Sequence, residues 1–82
     1  MKYFEEQENY LVANFEFENF DRAINFITQV ALLCNTHNHH PDIGVYDYKW
    51  VNITSTTHSA RHTITQKDKN LAQDIEDLYE SQ

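Results

Sequence analysis

Leu11-Val12-Ala13-Asn14-Phe15-Glu16-Phe17 is the stretch that decides how this chain folds. Its apolar side chains fall at Leu11, Ala13, Phe15 and Phe17, with Val12, Asn14 and Glu16 between them. Successive side chains of a strand point to opposite faces, so this spacing describes a half-buried strand with one apolar face. Directly afterwards the period changes. Asn19-Phe20-Asp21 offers two N-cap residues, and Ala23, Ile24, Ile27, Val30, Ala31 and Cys34 then recur at helical spacing. They lay one stripe along roughly four turns. The helix is expected to end near Asn35, since the residues beyond are short and polar and Pro41 follows.

Working outward, Tyr3 to Gln7 is expected to pair with this strand as a hairpin across Glu8-Asn9. On the far side of the helix, Val45 to Thr57 is dense in β-branched and aromatic residues. Val51 and Ile53 should face the core and Asn52 and Thr54 away from it, with Asp47 and its neighbours turning a short strand into a longer one. Thr65-Gln66-Lys67-Asp68 reads as a capping box opening a last helix, whose apolar stripe is Leu71, Ala72, Ile75, Leu78 and Tyr79. Hairpins each followed by a helix imply an α+β fold. The expectation is a single domain over 1–82: a four-stranded antiparallel sheet in β-β-α-β-β-α order, with both helices packed on one face. The other face is left to solvent or to assembly.

Composition narrows the function classes. A chain of 82 residues buries only about 60% of the surface it exposes when unfolded. Five Phe, five Tyr and one Trp are many rings for so small a core, and subunit contacts are a natural place to bury them. A homo-oligomer is therefore expected. Thirteen acidic against six basic residues give a net charge of −7, which disfavours direct binding to a nucleic-acid backbone. The lone cysteine, Cys34, excludes an intrachain disulfide and a Cys-x-x-Cys site, and its helical position reads as core. No apolar run approaches membrane-spanning length and Met1-Lys2-Tyr3-Phe4-Glu5-Glu6 is unlike a secretory signal, so the expected location is the cytoplasm.

Chemistry concentrates in His37-Asn38-His39-His40-Pro41, where three imidazoles meet the only proline. Imidazole is the side chain whose ordinary pKa lies nearest neutrality, so such a cluster suits proton transfer or metal binding. His37, at the helix end, has a structural reading as a complement to the negative end of the helix dipole. His39 and His40 are adjacent in a loop, so their rings should diverge. His58 closes the β-rich run, where a side chain can project into a cleft, and His62 reads as incidental. Zinc held by His37, His39 and His40 with Asp42 is the rival. Three ligands within four loop residues would be strained, and the expectation is no metal.

The larger spacing is more specific than any single histidine. His39-His40-Pro41, six residues, Tyr48, nine residues, His58, nine residues, Asp68 resembles the signature of the pterin-4a-carbinolamine dehydratase family. The likeness extends to Phe15-Glu16-Phe17 with Phe20-Asp21-Arg22-Ala23 and Phe26, to Val30-Ala31, to Val51-Asn52-Ile53 before Thr57-His58, and to Ile64-Thr65 with Asp68 and Leu71-Ala72. The resemblance implies an enzyme that dehydrates 4a-hydroxytetrahydropterin to the quinonoid dihydropterin, recycling the pterin of aromatic amino acid hydroxylases without metal or organic cofactor. It implies His39 and His58 as the acid/base pair, His40 as a pterin-binding residue that shares the proton traffic, and Thr57 and Asp68 as substrate-binding groups. Asp68 would also orient a histidine. Tyr48 is assigned to packing, and Pro41 to fixing the loop.

Three departures from the family pattern stand out. Asn35 takes the place of an acidic residue, the segment 59–64 has no glycine and is one residue longer, and the family's leading helix has little counterpart before Tyr3. The family also implies a homodimer or homotetramer. Its alternative role is a dimerisation or assembly module for a protein partner. Three imidazoles around one cleft are what the catalytic reading requires.

Overall fold

The computed structural model describes residues 1–82. Strands β1 (Glu5–Gln7) and β2 (Tyr10–Glu16) form a hairpin, followed by helix α1 (Phe20–His37). Strands β3 (Asp42–Tyr46) and β4 (Trp50–Ser55) form a second hairpin, and a 3-10 turn at His58–Ala60 leads to helix α2 (Gln66–Glu80). All pairings are antiparallel, in the order β1-β2-β4-β3. The fold is the expected α+β layer, with α1 and α2 together covering one face.

Register explains which face is covered. Ala13 pairs with Ile53 and Phe15 with Val51, and all four side chains are buried. The alternate pair Asn14–Asn52 lies on the open face, where the Asn52 amide donates to Asn14 Oδ1 at 3.1 Å. On the inner face Phe15 meets the rings of Tyr3, Phe4, Phe26 and Tyr79, all with centroids within 5.9 Å. Five rings thus gather over the C-terminal end of β2.

Four local expectations are corrected. The buried line of α1 is Ala23, Phe26, Val30 and Cys34, whereas Ile24 and Ala31 are exposed. The helix is rotated so that Phe26, which fills more space than either, meets the aromatic cluster. Its end lies at His37, where Asn38 adopts a left-handed conformation (φ 51°) and donates its N–H back to Asn35 and Cys34. Asparagine is among the few residues that tolerate that conformation. Strand β3 begins at Asp42, earlier than Val45, and Tyr48 is an exposed turn residue with φ 52°, so it does not pack in the chain.

Candidate functional site

The N-terminus of α2 is built around one carboxylate. Thr65 caps the helix and Asp68 occupies its third position, where its Oδ2 accepts the Thr65 backbone N–H at 2.9 Å. This is the expected capping box. Asp68 is also wholly buried at 0% exposure, beneath the end of β4 and the loop after α1. Its Oδ1 accepts from Ser55 Oγ at 2.5 Å and from His39 Nε2 at 2.7 Å, and its Oδ2 accepts from Thr57 Oγ1 at 2.6 Å.

Burying a carboxylate costs several kcal/mol unless donors replace its water. Desolvation pushes the Asp68 pKa up, but the hydrogen bonds from Ser55, Thr57, Thr65 N–H and His39 outweigh it and lower the pKa from 3.8 to about 2. The group is therefore an anion at neutral pH and only accepts. That fixes the His39 tautomer, because Nε2 must carry the proton it donates. His39 Nδ1 has no partner in the chain, and no buried side-chain nitrogen or oxygen is left unsatisfied, so Nδ1 is open to solvent. The result is a carboxylate–imidazole dyad with one anchored and one free nitrogen, on a residue only 8% exposed. Its backbone is fixed as well, by His39 N–H to the Cys34 carbonyl at 3.0 Å.

Each expected site residue has a definite place. His39, Thr57 and Asp68 are brought together across nearly 30 residues of chain. His40 is exposed, with Nε2 3.1 Å from Asn35 Oδ1, so the amide at position 35 still holds this ring. His58 is exposed next to buried Thr57, and its Nδ1 lies 3.0 Å from His62 Nδ1. His37 bonds Asp74 of α2 at 2.6 Å, tying the two helices together. The Asp68 carboxylate is inaccessible in this chain, and the Thr57 hydroxyl is bonded to it and to Thr65, so both residues lie against His39 and just before the turn that carries His58.

Ser55 is the site residue that sequence reasoning passed over. Its signal was present: Val51, Ile53 and Ser55 share the core face of β4, and a hydroxyl at a core position must find a buried partner. His62, read as incidental, is bonded to His58. The expected cleft among three imidazoles is not formed by the single chain. Its two concavities, about 370 Å³ and about 230 Å³, are lined by Gln7, Glu8, Tyr10, Val12 and Thr54 and by Met1, Phe4, Glu6, Leu11 and Lys69. No three or more His, Cys, Asp or Glu side chains are grouped to hold a metal ion.

The family model described as Pterin 4 alpha carbinolamine dehydratase matches residues 2–78. The chain belongs to that family. Among dehydratase-family relatives, a protein of Prochlorococcus marinus named "Putative pterin-4-alpha-carbinolamine dehydratase" is 39% identical over 88% of this chain and 73% of its own length. One of the same name from Chloroflexus aggregans is 42% identical over 89% and 76%. Among solved structures, a transcriptional coactivator/pterin dehydratase from Brucella melitensis superimposes with a TM-score of 0.84 at 26% identity, covering 93% of this chain and 81% of that one. A pterin dehydratase-like protein identified as a RuBisCO assembly factor in the alpha-carboxysome shares the fold, with a TM-score of 0.72 at 19% identity over 93% and 86%.

Proposed function

We propose that this pterin dehydratase family member dehydrates 4a-hydroxytetrahydropterin to the quinonoid dihydropterin, in recycling of the pterin used by aromatic amino acid hydroxylases. The observation that carries this reading is the dyad of buried Asp68 and His39, with a solvent-open Nδ1. The reaction breaks the C4a–O bond as an acid protonates the departing hydroxyl, and a base removes the N5 proton as the C4a=N5 double bond forms. Imidazoles suit both steps near neutral pH. His39 and His58 are assigned to the acid and base, and His40 to holding the pterin. The chemistry needs no metal or organic cofactor. The working form is a homodimer or homotetramer in the cytoplasm, and a second subunit would supply the wall without which one chain forms no cleft among the imidazoles. No helix is long and apolar enough to cross a membrane.

Purified protein mixed with freshly generated carbinolamine should accelerate loss of its ultraviolet band, and His39→Ala and His58→Ala should each slow that loss by at least about 100-fold. A rate equal to buffer would sink the proposal.

The second reading is a dimerisation or assembly module for a protein partner. It is favoured by the outer side of α1, where Phe20, Ile24 and Leu32 are exposed, Leu32 at 64%. It predicts a specific copurifying partner whose binding is indifferent to His58→Ala. Joint loss of partner and pterin binding in the histidine variants would count against it.

A further inference from the structure

His58 and His62 form a second imidazole pair, apart from the Asp68 network. Their Nδ1 atoms are 3.0 Å apart, and the rings meet edge to face at 87° with centroids 4.7 Å apart. The backbone that brings them together is unfavourable for residues with side chains. Arg61 (φ 59°) and His62 (φ 57°) are both left-handed, a region glycine enters without steric cost. The turn itself has a plain structural purpose: it returns the chain to Thr63, whose carbonyl accepts the Thr57 N–H at 2.9 Å. Glycine at position 62 would serve that turn as well or better. The turn therefore accounts for the conformation and leaves the imidazole unexplained.

We infer that His62 is a positioning residue for His58, holding its Nδ1 so that Nε2 is the nitrogen that exchanges protons with substrate. This inference rests on the dehydratase reading of His58. A hydrogen bond between two Nδ1 atoms needs one proton and one lone pair. When His58 donates, its Nε2 is a lone pair and acts as a base. When His62 donates, His58 Nε2 carries a proton, which it can give up as the shared proton passes to His58 Nδ1 and His62 Nε2 takes one from water. As His58 Nε2 takes the proton from N5, its Nδ1 proton passes to His62 Nδ1. The resulting His62 cation then releases its Nε2 proton to water. One proton enters the pair and one leaves, no electrons are transferred to an acceptor, and His58 ends with Nε2 protonated. Transfer of the shared proton back to His58 Nδ1, with loss of the His58 Nε2 proton to solvent and uptake of a solvent proton at His62 Nε2, restores the starting pair. No other side chain makes a hydrogen bond to either ring.

The test is His62→Gly, which removes the ring and relieves the backbone at once. The expected result is a melting temperature equal to or above that of the unaltered protein, kcat lowered about tenfold with KM within about twofold, and a displaced ¹⁵N resonance for His58 Nδ1. His62→Asn, which tolerates the left-handed backbone and keeps a polar group, should recover part of both changes. Unaltered kcat in His62→Gly, or a His58 resonance indifferent to the substitution, overturns the inference. An unaltered protein with no dehydratase activity would instead sink the underlying reading of function. The His58 resonance alone would then decide whether His62 holds that ring.

Discussion

Asp68 and Glu76 lie about two turns apart on the inner side of α2, with Leu71, Ala72 and Ile75 between them. Both are carboxylates taken out of water, at 0% and 4% exposure. Their donors differ in kind. Glu76 accepts backbone N–H groups of Tyr3 at 2.7 Å, Phe4 at 2.8 Å and Lys2 at 3.3 Å. Asp68 accepts one backbone N–H and four side chains, of which one is an imidazole with a free nitrogen. A carboxylate filled by main-chain donors fastens a segment, here the one that delivers Tyr3 and Phe4 to the aromatic cluster. A carboxylate filled by side-chain donors sets the tautomer and direction of groups that can react. The same helix face thus serves stability at one end and the site at the other.

Asp68→Asn should separate the two carboxylates most. All the groups around the carboxylate are donors, so an amide NH₂ would confront at least one of them. The expected loss is about 3 kcal/mol in stability, from chemical denaturation, together with at least about 100-fold in carbinolamine turnover. Glu76→Gln keeps an oxygen for the Tyr3 and Phe4 amides but makes those bonds neutral and turns its NH₂ against the Lys2 N–H, so it should cost about 2 kcal/mol yet leave turnover per folded molecule unchanged. Equal damage to activity from both substitutions would erase the distinction drawn between the two ends.

Acid sharpens it. The folded pKa of Asp68, about 2, lies below its ordinary 3.8. Its stabilising contribution is therefore complete above the unfolded value and is lost as pH falls through the folded one. That contribution is about 2 kcal/mol. Urea midpoints measured between about pH 5 and about pH 2 should show the gap between the unaltered protein and Asp68→Asn narrowing on acidification. A constant gap would mean that the carboxylate's charge is not what the donors stabilise.

Ser55→Ala removes one of two donors to Oδ1 while leaving His39 in place. The expected cost is about 1.5 kcal/mol, with the Asp68 pKa, read by carboxyl NMR titration, moving up toward the ordinary range. The smallest effect is expected for Asn35→Asp. It turns the 3.1 Å contact with His40 into a charge-assisted one at an exposed position, worth less than about 1 kcal/mol. A lower KM for the pterin would then mark His40 as a binding group.

Much of this architecture could be read from residue order alone. Alternation at Leu11–Phe17 and at Val51–Ile53 specified strands and their inner faces. The Thr65–Asp68 capping box opened α2 where the structure has it, and the histidine spacing led to the family. Legibility failed where neighbours distant in sequence choose between equal local options. The rotation of α1 is one case: Ile24 and Phe26 are both apolar, and only the ring cluster on β2 selects Phe26. Ser55 is another, since an alternating pattern marks its face but not what it meets there.

Residue order alone carries the local and periodic properties: element type, helix start, the strand face that must be covered, and which residues have chemistry to offer. Long-range packing is what makes Asp68 a buried anion, keeps the His39 proton on Nε2 and its Nδ1 free, and has Glu76 gather the first residues of the chain. The physical reason is that tautomer and charge state follow from which donors surround a group once water is excluded. Those donors come from β4, from the loop after α1 and from the N-terminus, and periodicity within one element is silent about all three.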